Sequence, residues 1–231
     1  MTPRACMIMA AGFGTRMGAL TAACPKPLIK VAGRPLIDHA LAEARDAGAG
    51  RIVVNGHYRA DQLAAYLADA PEVRFLHEVP EILDSGGGVR NALPLLGEIP
   101  FWTLNSDAVW RGDNALNTLA AGWRPDRMGG LLLLVPQTRA VGRKDGGDFA
   151  LAGTGQITPD KSGLVWTGAQ ILDPAVFETT PPGPFSMWVI WRKLIVEGRL
   201  FGLPYSGVWA DVGHPGGIAL AEEMLRGADA V

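Results

Sequence analysis

The chain has 231 residues, close to half of them apolar, so it can bury a full core and is most simply one domain with excursions rather than a disordered segment. A net charge of −2 excludes a broad nucleic-acid-binding surface, which requires a basic excess. Any charge that meets an anionic ligand must therefore be local. Cys6 and Cys24 are the only cysteines, too few for a disulfide framework or a zinc site. The apolar run Leu131–Val135 is far shorter than a membrane span. These features predict a protein of the reducing cytoplasm with neither a membrane nor a nucleic acid as partner.

Residues 5 to 10 read as a first strand, and the apolar Met7-Ile8-Met9-Ala10-Ala11 runs straight into Gly12-Phe13-Gly14-Thr15-Arg16. Lys26 follows within Pro25-Lys26-Pro27-Leu28. A strand that ends in glycines and then carries an arginine and a lysine has the layout of a phosphate cradle. Glycine lets the backbone come close to an anion, and successive amides form a concave donor array. Arg16 adds a fork of donors and Lys26 a point charge. Gly12 and Gly14 with Gly18 also approximate a dinucleotide-binding fingerprint, but the third glycine stands one place late and Thr21-Ala22-Ala23-Cys24-Pro25 is not the helix such a site needs.

The loop over residues 11 to 33 ends at Pro35, a suitable first residue for a helix. Leu36, Ile37, Ala40, Leu41 and Ala44 recur at helical spacing, and Gly48 closes the helix. A strand at 51–55, a helix with Ala60, Leu63, Ala64 and Leu67 on one face, and a strand at 73–77 follow. Such alternation predicts an α/β fold with a doubly wound, mostly parallel sheet, in which ligands gather beyond the carboxyl ends of the strands.

Ser85-Gly86-Gly87-Gly88 leads into a short helix over residues 89 to 95. Three adjacent glycines permit close approach to a flat ligand such as a nucleobase, so Ser85, Gly86 and Gly87 are candidate nucleotide-binding positions; a flexible turn is the competing account. The strand at 101–105 ends in Asn105-Ser106-Asp107. A carboxylate at a strand tip faces the ligand crevice and suits Mg²⁺, which takes one or two carboxylates plus phosphate oxygens and waters; a helix cap is the alternative. The unbroken run Leu131–Val135 predicts a strand buried on both faces.

Residues 137 to 165 change character and predict a small β excursion, with Asp148 and Lys161 as its charged candidates. A strand over 164–172 contains Gly168, and a helix over 185–197 bears Trp188, Trp191, Leu194 and Ile195, aromatics that read as core or interface. Val208-Trp209-Ala210-Asp211-Val212-Gly213 precedes a last helix from Pro215 to about residue 227, with Ile218, Ala219 and Leu225 facing the sheet.

Ala11-Gly12-x-Gly14-Thr15-Arg16-Met17, then Pro25-Lys26-Pro27-Leu28, and finally Trp209-x-Asp211-Val212-Gly213 together resemble the signature of sugar-1-phosphate nucleotidylyltransferases, over nearly the whole chain. The resemblance implies a Rossmann-like nucleotidyltransferase fold and one catalytic domain. Its nucleotide part would span about residues 1–136, its sugar-phosphate part 137–214 and its final helix 215–227. It implies Ala11, Gly12, Gly14, Thr15, Ser85, Gly86 and Gly87 around the nucleotide. Arg16 and Lys26 would be catalytic, Asp107 and Asp211 would hold Mg²⁺, and Asn105, Asp148 and Gly168 would meet the sugar phosphate. This sequence departs from the family pattern at Ala19, where proline is common, and at Ser106, which replaces a glycine. The family's E-K-P lysine is missing, with only Asp160-Lys161 near its place. No hexapeptide repeat follows the final helix, so a catalytic domain alone is expected.

The implied reaction is attack by a sugar 1-phosphate oxygen on the α-phosphorus of a nucleoside triphosphate, with release of pyrophosphate. The nucleophile is already ionised at neutral pH, so no general base is called for, and His39, His57, His77 and His214 are scattered. The compact chain, the triple glycine, Gly147-Asp148-Phe149 and the missing E-K-P are most similar to the uridylyl-transferring members of bacterial cell-wall recycling. Those take UTP and N-acetylmuramate α-1-phosphate. Guanylyl transfer to mannose 1-phosphate is the alternative within the family, and a non-catalytic nucleotide-sugar sensor is the alternative of another class.

Overall fold

The computed structural model describes residues 2–227. In chain order the strands are β1 (Ala5–Met9), β2 (Lys30–Val31), β3 (Arg34–Pro35), β4 (Arg51–Gly56), β5 (Val73–His77), β6 (Phe101–Asn105), β7 (Ala108–Arg111), β8 (Gly130–Val135), β9 (Ala140–Val141), β10 (Phe149–Leu151), β11 (Ile157–Pro159), β12 (Val165–Leu172), β13 (Leu200–Pro204) and β14 (Val208–Asp211). The helices are α1 (Leu36–Asp46), α2 (Ala60–Leu67), α3 (Asp84–Leu96), α4 (Ala115–Gly122), α5 (Trp188–Val196) and α6 (Pro215–Arg226).

A seven-stranded sheet in the order β13-β8-β12-β6-β1-β4-β5 forms the centre. Only β12 runs against its neighbours β6 and β8; the other four pairings are parallel. The alternation of side chains along each strand builds two cores. Cys6, Ile8, Ile52, Val54, Leu131 and Leu133 face one side, where Ile37 and Leu41 of α1, Leu63 of α2 and Leu116 of α4 cover them. Met7, Val53, Leu132 and Leu134 face the other, under Val89 and Ala92 of α3 and Ile190 and Trp191 of α5. This is the expected doubly wound α/β architecture, and β8 is buried at all six positions because helices cover both of its faces.

A second sheet in the order β7-β14-β9 stands beyond the carboxyl edge of the first. The final helix packs here rather than on the central sheet. Gly217, Ala221 and Met224 are its buried face, against Val31, Leu36, Val109, Ala210 and Val212. Ile218 and Leu225 flank that face, but Ala219 is exposed. The stripe follows the i, i+4, i+7 rule from Gly217, one residue earlier than the apolar side chains suggest.

Elsewhere the expected elements form with shifted ends, and several were not read from the sequence, among them the short β2–β3 pair, α4 and β7. The α5 helix starts at Trp188, three residues later than expected. The α4 helix, between β7 and β8, begins where Asn114 accepts from the Asn117 amide at 2.9 Å and Glu43 from the Ala115 amide at 2.8 Å. The β7 strand was also missed, being only four residues long and formed solely by pairing with β14.

Candidate active site

Strands β1 and β6 are parallel neighbours in which Met9 and Asn105 are register partners. Both strands end at one cleft of about 270 Å³, lined among others by Gly12, Thr15, Arg16, Lys26, Asp107 and Gly213. Gly14 lies in the left-handed region at φ 65°, and a Cβ there would stand 3.0 Å from both Lys26 Cβ and Thr21 Cγ2, so only glycine lets the loop turn with Lys26 packed beneath it. A Cβ on Gly12, by contrast, would meet nothing within 4 Å. That glycine keeps open space in the cleft rather than satisfying a packing need.

The two aspartates come together through backbone pairing. In the β7–β14 ladder Asp211 is the register partner of Ala108, and the Val212 amide donates to the Asp107 carbonyl at 3.0 Å. Lys26 Nζ reaches Asp107 Oδ2 at 2.5 Å, with both side chains largely buried. Burial pushes the Asp211 carboxyl above the usual aspartate range and the neighbouring Asp107 charge adds to this, while Lys26, Arg16 and Arg143 pull it back. A Cβ on Gly213 would fall 2.8 Å from Asp211 Oδ1 and 3.3 Å from Arg16 Cζ, so this glycine leaves the room in which arginine and carboxylate face each other.

The donor set fits a divalent cation that keeps waters and substrate phosphate oxygens. Two carboxylates converge, and no group of three or more His, Cys, Asp or Glu able to cage an ion alone occurs among the described residues.

Ala11, Gly12, Ser85, Asn105 and Trp166 line an adjoining chamber of about 250 Å³ together with Asn55, Glu78, Ile82 and Asp84. Glu78 and Asn55 were not read from the sequence. Glu78 is 1% exposed; it accepts from Asn55 Nδ2 at 2.7 Å and from the Leu83 amide at 2.8 Å, while Asn55 Oδ1 accepts from the Ala10 amide at 2.8 Å. The usable signal was a polar residue at the carboxyl end of each of β4 and β5, which a doubly wound sheet turns toward its ligand.

Three expectations acquire a different physical account. Gly86 and Gly87 lie in the first turn of α3, and both amides donate to the Phe185 carbonyl, at 2.9 and 3.0 Å. They are helix-start donors already satisfied, and a Cβ on either would strike Phe185 or Gly183 at 2.4 Å; close packing of the 183–185 segment accounts for them. Asp148 does not reach the cleft as a free carboxylate: it accepts from Arg143 Nη2 at 2.7 Å and from the Trp166 amide at 3.0 Å. Gly168, at φ 82°, would press a Cβ to 2.8 Å from Asn105, so it acts by seating Asn105. Lys161 is exposed on a turn.

Arg143 is a further residue the sequence did not single out. The preceding Gly142 sits against the Asp211 carbonyl, 2.6 Å from where its Cβ would be, and Arg143 Nε is buried without a partner.

A cleft lined by Asp107, Arg16 and Lys26 at the carboxyl edge of a doubly wound sheet, with Asp211 beside Asp107, agrees with the class of protein that the family match gives. The chain belongs to the MobA-like NTP transferase domain family, whose model matches residues 6–175. It is 38% identical to the N-acetylmuramate alpha-1-phosphate uridylyltransferase of Caulobacter vibrioides, over 98% of each chain. The same-named protein of Neisseria meningitidis is 32% identical over 90% of this chain and 92% of that one. The fold is shared with the inositol-1-phosphate CTP transferase from T. maritima at a TM-score of 0.78, covering 98% of both chains at 15% identity.

Proposed function

We propose that the protein transfers a uridylyl group from UTP to a sugar 1-phosphate, with N-acetylmuramate α-1-phosphate as acceptor, releasing pyrophosphate. The observation that carries this reading is the convergence of Asp107, Asp211, Lys26 and Arg16 on one cleft. The names of the two relatives supply the acceptor and the base.

The reaction joins two anions, so its main obstacle is their repulsion. At an effective dielectric near 20, a unit-charge contact at 4 Å is worth about 4 kcal/mol, so Arg16 and Lys26 together offset a large part of that barrier. Arg16 makes no hydrogen bond to protein among the described residues and is exposed, which leaves its fork free for the leaving pyrophosphate beside the amides of the 12–15 loop. Lys26 bridges the α-phosphate and the incoming phosphate once it leaves Asp107. Arg143, oriented by Asp148, adds a cation on the Asp211 side for the acceptor. Asp107 and Asp211 would hold Mg²⁺, which when bound supplies further positive charge to phosphate oxygens.

Glu78 lines the second chamber with both carboxyl oxygens already accepting, from Asn55 Nδ2 and from the Leu83 amide, so it braces the chamber wall, and the choice of uracil rests on the names of the two relatives.

Pyrophosphate release from UTP, GTP, CTP and ATP, each paired with a panel of sugar 1-phosphates, tests the reading. UTP with N-acetylmuramate α-1-phosphate is expected to give the highest kcat/KM, and Asp107→Asn and Asp211→Asn to abolish it. Release from no pair, with nucleotide sugar still bound by all three proteins, would establish a sensor instead.

A further inference from the structure

We infer that Tyr58, Arg59 and Gln62, at the entry to α2, clamp the cradle loop from outside and, through Thr21, hold Arg16 where the nucleotide meets it. This rests on the uridylyl-transfer reading above.

The cradle loop carries a 3-10 segment over Thr15–Thr21 that is split in two. Its backbone bonds include Met17 N to Gly14 O at 2.9 Å and Ala22 N to Ala19 O at 3.1 Å, and the turn is interrupted at Gly18, with φ 58° and ψ −130°. A short 3-10 turn broken at its middle residue gains little rigidity from its own bonds, although Met17 and Thr21 within it are buried. Three successive carbonyls of the loop, however, accept from side chains of one neighbouring turn. Tyr58 Oη donates to Thr21 O at 2.9 Å, Arg59 Nη2 to Ala22 O, and Gln62 Nε2 to Ala23 O at 3.2 Å.

The clamp is itself braced. Arg59 is held in the left-handed region at φ 49° and ψ 42°, a conformation that persists for such a residue only where its surroundings determine it. Its Nε donates to Tyr58 Oη at 3.2 Å, and its guanidinium lies 5.5 Å from the centroid of the Tyr58 ring, which orients the hydroxyl toward Thr21. The other limb of the loop is touched as well: Phe13 meets His57 edge-on at 5.4 Å.

Thr21 passes the constraint inward. It is 6% exposed, and its Oγ1 lies 3.3 Å from Gly14 O and 3.1 Å from Gly18 O, the carbonyls two residues before and two after Arg16. The single Thr21 hydroxyl proton is therefore shared between carbonyls on either side of the arginine, and Tyr58 fixes the Thr21 backbone that carries it. The backbone that bears Arg16 is ordered before substrate arrives, so binding need order only the side chain, and misplacement by as little as 1 Å is costly in such a reaction. Tyr58 and Thr21 are positioning residues.

A double-mutant cycle tests this on the full chain. Tyr58→Phe removes one hydroxyl and should lower kcat/KM for UTP about tenfold, the effect of one hydrogen bond, while the melting temperature falls by no more than about 5 °C. Thr21→Val should act alike, and Thr21→Ser should restore activity because it keeps the hydroxyl. In an Arg16→Ala background Tyr58→Phe should cost less than about twofold, since a positioning residue has nothing left to position. A full tenfold loss in that background, or none in the wild type, overturns the inference. Amide hydrogen exchange over residues 12–24 provides the readout if no substrate pair turns over. Tyr58→Phe should accelerate it about tenfold, and unchanged exchange sinks the clamp even where the failed reaction has already removed the functional reading.

Discussion

Asp211 is subject to two opposed requirements. Its carboxyl is raised above the ordinary range by burial first and by Asp107 second, so the folded protein binds that proton more tightly than the unfolded chain does. The associated stability is present in full below the unfolded aspartate value and is lost as pH rises through the raised folded value. At neutral pH the charged side chain is therefore destabilising. Asp211→Asn should raise the melting temperature at pH 7 while lowering kcat by about 100-fold or more. Calorimetry and pyrophosphate release on the same preparation check both, and a lower melting temperature would contradict the raised carboxyl. Arg16, Lys26, Asp107 and Asp211 were singled out because each sits in a patterned stretch, with glycines or prolines near Arg16, Lys26 and Asp211 and a strand tip at Asp107. Glu78, Asn55 and Arg143 were not, since an isolated polar residue has no local pattern and takes its meaning from what the fold brings to it.

At the level of elements, the long periodic segments formed where expected, and the short ones were decided by their partners. Strand β7 exists because β14 pairs with it, and that ladder brings Asp211 to Asp107. Of the triple glycine, Gly86 and Gly87 open a helix packed against residues 183–185 while Gly88 lies against Glu78 and Asn55; a glycine run by itself is equally compatible with a ligand and with a close-packed backbone. The tryptophans of α5 prove to be core. Trp191 is buried and donates through Nε1 to Gln170 Oε1 at 3.0 Å, while Gln170 Nε2 donates to Thr103 Oγ1 at 3.1 Å. Trp191→Phe would leave the fully buried Gln170 carbonyl unpaired, at a cost of about 1–3 kcal/mol. The expected result is a melting temperature lower by roughly 2–10 °C with kcat for uridylyl transfer nearly unchanged, because this bond belongs to the β12–α5 packing and not to the cleft.

Across the whole molecule, early and late parts of the chain interlock. Strand β12 is inserted between β6 and β8, and β7, β9 and β14 form a second sheet drawn from both parts. Residues 1–136 and 137–214 therefore share their cores, and a single calorimetric transition is expected. UTP at 100 times its Kd should add about 2.7 kcal/mol, a rise of roughly 5–10 °C for a chain of this size. CTP should give a smaller rise at equal concentration if the second chamber selects uracil. Two separated transitions, only one of them moved by UTP, would show that the two parts unfold independently.

Local chemistry is what the sequence by itself determined. Hydrophobic period and turn residues specified the doubly wound sheet, and the order of glycines, cations and carboxylates specified a phosphate-handling cleft, because both act through near neighbours along the chain. The tertiary structure alone decided which distant groups share that cleft and which are consumed elsewhere, as Asp148 is by Arg143 and the Gly86 and Gly87 amides are by Phe185. Hydrogen bonds and charge pairs saturate across space, and only the folded chain fixes which partner a given donor meets.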